Sequence, residues 1–159
     1  MSVSKDQAMG IVSTYMRAMV KGEPSTHGLM KEVWKKGTLF LEKQPNPPLG
    51  FEPEKQQCYF NSMQLASQDR SYAYYQGFMF QHKLEPFGLS HAFNVKDGLM
   101  IDTTPLNEID IWFGIEVPFE VVLESAFNLS ALTPLEYYHR HYRLDPDRVT
   151  QIHYRGKGT

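Results

Sequence analysis

Three residue types that together make a thiol nucleophile occur in one stretch of this chain: Cys58, His91 and Asp102. A cysteine attacks a carbonyl carbon as its thiolate, and the partial positive charge at a helix N-terminus or a neighbouring imidazolium favours that form. The histidine in turn needs a third group that holds one ring nitrogen while the other faces sulfur. The chain has a single cysteine, so an intramolecular disulfide is excluded and Cys58 is either a packing residue or a working thiol. Taken singly, Cys58 fits a small buried hydrophobe, His91 a strand histidine and Asp102 a carboxylate near a turn. The trio points to catalysis only if the elements around it bring its members together.

The decisive element is a hairpin. Lys96-Asp97-Gly98 is a turn signal between His91-Ala92-Phe93-Asn94-Val95 and Leu99-Met100-Ile101-Asp102-Thr103. A two-residue turn at Asp97 and Gly98 sets Phe93 opposite Asp102 and His91 opposite Thr104. His91 and Asp102 then share a face as diagonal neighbours, roughly 7 to 8 Å apart at the backbone, a gap that an imidazole and a carboxylate can close. A slip of one residue would send them to opposite faces.

The remaining elements follow from periodicity. Ala8, Met9, Val12, Tyr15, Met16 and Met19 recur at helical spacing over Asp6 to Val20, and Lys21-Gly22 ends that helix. A second helix carries Leu29, Met30, Val33 and Trp34 until Gly37, with Ser25 or Thr26 as possible caps. Gln44 to Pro53 contains four prolines and a glycine and is an extended loop that walls the site. Glu54 to Gln68 has helical composition, with Cys58 in its first turns and Ser62 and Ala66 following at fours. Tyr72 to Phe80 and Ile109 to Gly114 are strand formers. Pro118 suits the first position of a helix over Phe119 to Phe127, and Pro134 to His141 is a last helix. This order predicts a single α+β domain over residues 1–159, with an N-terminal helical part at 1–43 and a catalytic core at 54–128.

Cys58-Tyr59-Phe60-Asn61, Tyr75-Gln76-Gly77, His91-Ala92-Phe93, Asp102-Thr103-Thr104-Pro105 and Trp112-Phe113-Gly114-Ile115 together resemble motifs of small bacterial and phage proteins in the transglutaminase-like branch of the papain-like superfamily. The resemblance covers about Gln56 to Gly114. It implies a cysteine helix packed on an antiparallel sheet, with Cys58 as nucleophile, His91 as base and Asp102 as the orienting residue. The implied activity is hydrolysis or acyl transfer through a thioester, on a peptide, a protein side chain or a small acyl or amide substrate. Gln56 or Gln57, preferably Gln57, with the Cys58 backbone N–H, is the candidate oxyanion donor. The chain lacks a tryptophan beside Cys58 and an Arg-Gly-Gly-x-Cys motif, which separates it from papain, animal transglutaminases and arylamine N-acetyltransferases.

Composition narrows the partners. Sixteen basic and 18 acidic residues give a net charge of −2, so no basic surface for nucleic acid is expected. Tyr137 to Arg143 is a basic aromatic cluster that reads as a solvated helix face rather than a nucleic-acid contact. No apolar run is long enough for a membrane span, and the Met-Ser-Val-Ser-Lys-Asp start has no secretory pattern, so a cytoplasmic protein is expected. His82, His139, His141 and His153 show no metal-binding spacing, and no Gly-rich phosphate loop occurs, so neither metal nor cofactor is expected. The other function class open to this sequence is a non-catalytic interaction protein, such as a phage protein binding a host factor.

Overall fold

The computed structural model describes residues 3–24, 27–84, 87–104, 108–128 and 130–150. Ser4 caps α1 (Lys5–Gly22) by accepting a hydrogen bond from the Gln7 N–H, and Ala8, Ile11, Val12 and Met16 form its buried face. Met9, expected on that face, is instead exposed. α2 (Leu29–Lys36) starts after Gly28, which holds a left-handed conformation with φ of 69°. The expected caps Ser25 and Thr26 lie outside the described residues.

A short strand that the sequence did not announce, β1 (Thr38–Phe40), precedes the proline-rich loop. The loop runs to Gln57, so α3 (Cys58–Gln68) begins at the cysteine itself rather than at Glu54. The physical reason is a clamp: the Asn61 side chain accepts from the Glu54 N–H and donates to the Glu54 carbonyl, which holds residues 54–57 in a turn. Gln68 at the far end of α3 ties the loop down by donating to the Pro48 carbonyl and accepting from the Gly50 N–H.

The sheet contains β2 (Ala73–Phe80), β3 (Gly88–Lys96), β4 (Leu99–Ile101) and β5 (Ile111–Glu116), with β1 at one edge. The five strands lie antiparallel in the order β1-β5-β2-β3-β4. β2 is central, and its alternation sends Tyr74, Gln76, Phe78 and Phe80 to one face and Tyr75, Gly77 and Met79 to the other. The first face meets α1 and the rest of the main core, where Tyr15 packs edge-on against Phe78 and Phe80. The second face carries a smaller cluster of Met79, Phe93, Val95, Met100 and Trp112. At Gly77 a Cβ would lie 2.1 Å from the Phe113 carbonyl oxygen and 2.5 Å from the Gly114 Cα, so β2 and β5 approach more closely there than any side chain allows.

α4 (Phe119–Phe127) follows β5, with Pro118 at the N-cap rather than inside the helix. α5 (Pro134–Tyr142) opens on a capping box in which Thr133 and Glu136 satisfy each other's backbone N–H groups. Its aromatic residues depart from the expected solvated face: Tyr137, Tyr138 and Tyr142 are buried in the core, while Arg140 and His141 remain exposed. The end of the chain, 151–159, lies outside the described residues. The fold is thus α+β, as the order of elements predicts.

Candidate active site

The hairpin adopts the expected register. Asp97 and Gly98 both have positive φ, 53° and 76°, the backbone of a type I′ turn. Asn94 pairs with Ile101, Val95 with Met100 and Lys96 with Leu99. Continuing that register carries Asp102 just past the paired stretch and onto the face that His91 occupies.

The side chains close the remaining gap. His91 Nε2 lies 2.7 Å from Asp102 Oδ2, and both residues are 2% exposed. A buried carboxylate needs donors. Asp102 has three: the His91 ring, the Trp112 indole, which donates to the same Oδ2 at 2.9 Å, and the Thr104 N–H, which donates to Oδ1 at 3.2 Å. Trp112 stands on β5, with β2 between it and β3, so the carboxylate is anchored from across the sheet. The β2 residue opposite His91 is Gly77, which puts no side chain on that face.

With Nε2 engaged by Asp102, Nδ1 is the ring nitrogen left for sulfur. Burial, the largest influence, pulls the His91 imidazolium down. Hydrogen bonding to Asp102 and to Cys58, together with their charges, outweighs it and brings His91 up to about 9 from 6.5. The ring therefore carries its second proton at neutral pH.

Cys58 is buried at the first position of α3. Gln57 at the N-cap makes no side-chain cap, and the first donor into the helix is the Asn61 N–H, to the Gln57 carbonyl at 2.8 Å. The N–H groups of Cys58, Tyr59 and Phe60 precede that bond and form the positive end of the helix beside the thiol. Gln56 and Gln57, the expected oxyanion donors, are both exposed, and Gln56 holds a positive φ of 62°. Asn61 also donates to Thr104 Oγ1 at 3.0 Å, which links the cysteine helix to the segment after Asp102.

Sequence reasoning names Cys58, His91 and Asp102, which the fold brings together. It misses Trp112 as an anchor of Asp102 and Asn61 as the bridge between α3 and Thr104. The signal for Trp112 was its strand, but the β5-β2-β3 order that puts its indole within reach is not written in local periodicity. Among the described residues no group of three or more His, Cys, Asp and Glu side chains is arranged to hold a metal ion, and no helix is long and apolar enough to cross a membrane. Comparison with protein-family models, curated proteins and solved structures returns no match to this chain.

Proposed function

We propose that this chain is a transglutaminase-like thiol enzyme, a hydrolase or acyltransferase in which Cys58 attacks the carbonyl carbon of an amide or acyl substrate. The observation that carries this reading is the buried line Asp102, His91, Cys58, with the cysteine at an uncapped helix N-terminus. A protonated imidazole stabilises a thiolate beside it, and Asp102 fixes the ring that holds the proton.

In the first step the C–S bond forms, the C–N bond breaks, and His91 gives its proton to the leaving amine. In the second, water or an amine attacks the thioester and passes a proton to His91 as the C–S bond breaks. The developing oxyanion in each step faces the free N–H groups at the start of α3. The substrate class is a peptide, a protein side chain or a small amide, handled without a cofactor in the cytoplasm, where a thiol stays reduced.

Limiting iodoacetamide at neutral pH, followed by mass spectrometry, tests the reading. The native protein should be alkylated at Cys58 faster than the same protein in denaturant. Labelling that proceeds only after unfolding would identify a structural thiol and return the chain to the class of interaction proteins.

A further inference from the structure

A cleft of about 530 Å³ lies between the end of α1, the start of α2, the start of α5 and the main-core face of the sheet. Its size is that of a small-ligand site, about 300–1,000 Å³. Phe78 and Ser90, paired across β2 and β3, belong to its sheet wall, whereas His91 is the next residue along β3 and lies on the opposite face. The cleft is therefore separate from the thiol centre. Met19, Leu29, Met30 and Phe78 make its interior apolar.

A second cavity, of about 200 Å³, shares Glu23, His27, Leu29 and Glu136 with the first and adds His139 and Arg140 of α5. The shared residues form a waist between the two. It is fixed in place: Glu23 Oε1 accepts from the Met30 N–H at the start of α2, Glu136 Oε1 accepts from the Thr133 N–H in the capping box of α5, and His139 donates to the His27 carbonyl. These bonds use one oxygen of each carboxylate, and among the described residues Oε2 of either has no hydrogen-bond donor. Arg140 stands one helical turn after Glu136, the spacing of an ordinary surface ion pair. Among the described residues, however, its guanidinium forms neither an ion pair nor a hydrogen bond. Two anionic groups and one cationic group thus line one cleft without neutralising each other.

The order along the cleft is apolar chamber, carboxylates, guanidinium. A free α-amino acid with a large apolar side chain presents its groups in the matching order of hydrocarbon, ammonium and carboxylate. We propose that the cleft binds such an amino acid as its zwitterion, with the side chain against Met19, Met30 and Phe78, the ammonium at Glu23 and Glu136 and the carboxylate at Arg140. A simple amine would leave Arg140 without a partner, and a simple carboxylic acid would meet two like charges at the waist. The site uses none of Cys58, His91 and Asp102, so it does not depend on the thiol-enzyme reading.

Isothermal titration calorimetry of the full chain at neutral pH and low salt tests the assignment with four probes. They are L-phenylalanine, phenethylamine, which lacks the carboxylate, 3-phenylpropanoate, which lacks the ammonium, and glycine, which lacks the side chain. Phenylalanine should bind with a dissociation constant about tenfold below that of either phenyl analogue, the scale of one charge-assisted hydrogen bond at a partly exposed site. Glycine should bind more weakly than phenylalanine, because it buries no apolar surface in the chamber.

Arg140→Gln should bring phenylalanine level with phenethylamine. The Glu23→Gln, Glu136→Gln double variant should bring it level with 3-phenylpropanoate. Glutamine keeps an oxygen for the Met30 and Thr133 N–H groups, so both helices keep their starts. Phenylalanine without measurable binding, any of the other three probes binding the wild type as tightly as phenylalanine, or a preference that survives its substitution would overturn the assignment.

Discussion

Among the described residues three donors hold Asp102, and that number separates its role from those of its two neighbours. Cys58→Ala and His91→Ala each remove a member of the reacting pair and should take turnover to background. Asp102→Asn keeps one acceptor oxygen, which serves either Trp112 at the Oδ2 position or Thr104 at the Oδ1 position, and presents His91 with a neutral partner. It should cost orders of magnitude in rate and still leave covalent capture at Cys58 detectable by mass spectrometry. A fully active Cys58→Ala protein would end the thiol-enzyme reading. The raised His91 group also makes a statement about stability. The folded protein holds this proton up to about 9 and the unfolded chain releases it near 6.5. The stabilisation from His91 is therefore complete below 6.5 and is lost as pH rises through about 9. The difference in urea midpoint between wild type and His91→Gln should shrink across that window. A difference that grows with pH would mean that the folded ring is neutral.

At the scale of elements, the hairpin decides whether the trio exists, because a register slip of one residue would put His91 and Asp102 on opposite faces. Gly98 holds φ of +76°, and a Cβ there would meet nothing within 4 Å, so the cost of replacing it is purely one of backbone conformation. Gly98→Ala should lose about 1–2 kcal/mol in urea denaturation, and Gly98→Asn should recover part of it, since asparagine tolerates the left-handed region. Equal stability of all three proteins would show that the turn does not adopt this conformation. This hairpin was legible in the sequence because turn chemistry and alternation are local signals. The start of α3 was not, since the clamp that shortens it joins Asn61 to Glu54 and Thr104, and Thr104 is far along the chain. β1 was missed for a similar reason: its three residues gain strand character only from pairing with Trp112, Phe113 and Gly114 of β5. The burial of Tyr137 and Tyr142 also depends on distant partners, since Asn128 and Glu124 of the α4 region meet their hydroxyls.

The described residues are built on one sheet with apolar material on both faces, and the two tryptophans report on the two sides separately. Trp34 packs against Phe113 at 5.8 Å between ring centroids and belongs to the main core, whereas Trp112 belongs to the smaller cluster with Met79 and Phe93. Phe113 and Trp112 are successive residues of β5, so alternation sends them to opposite faces. β2, β3 and β5 contribute side chains to both clusters, and neither cluster can lose its strands while the other keeps them. Unfolding should therefore be a single cooperative event. In Trp34→Phe the fluorescence of Trp112 alone should follow the same urea transition as far-UV circular dichroism, and in Trp112→Phe the fluorescence of Trp34 should do likewise. The second variant should unfold at lower urea, because it removes a donor to the buried Asp102 carboxylate and leaves that charge with the His91 ring and the Thr104 N–H. The criterion is agreement of the two probes within each protein, so a shifted midpoint does not disturb it. Fluorescence and circular dichroism transitions that separate in either variant would show that the two faces of the sheet unfold independently and that the chain is not one cooperative unit.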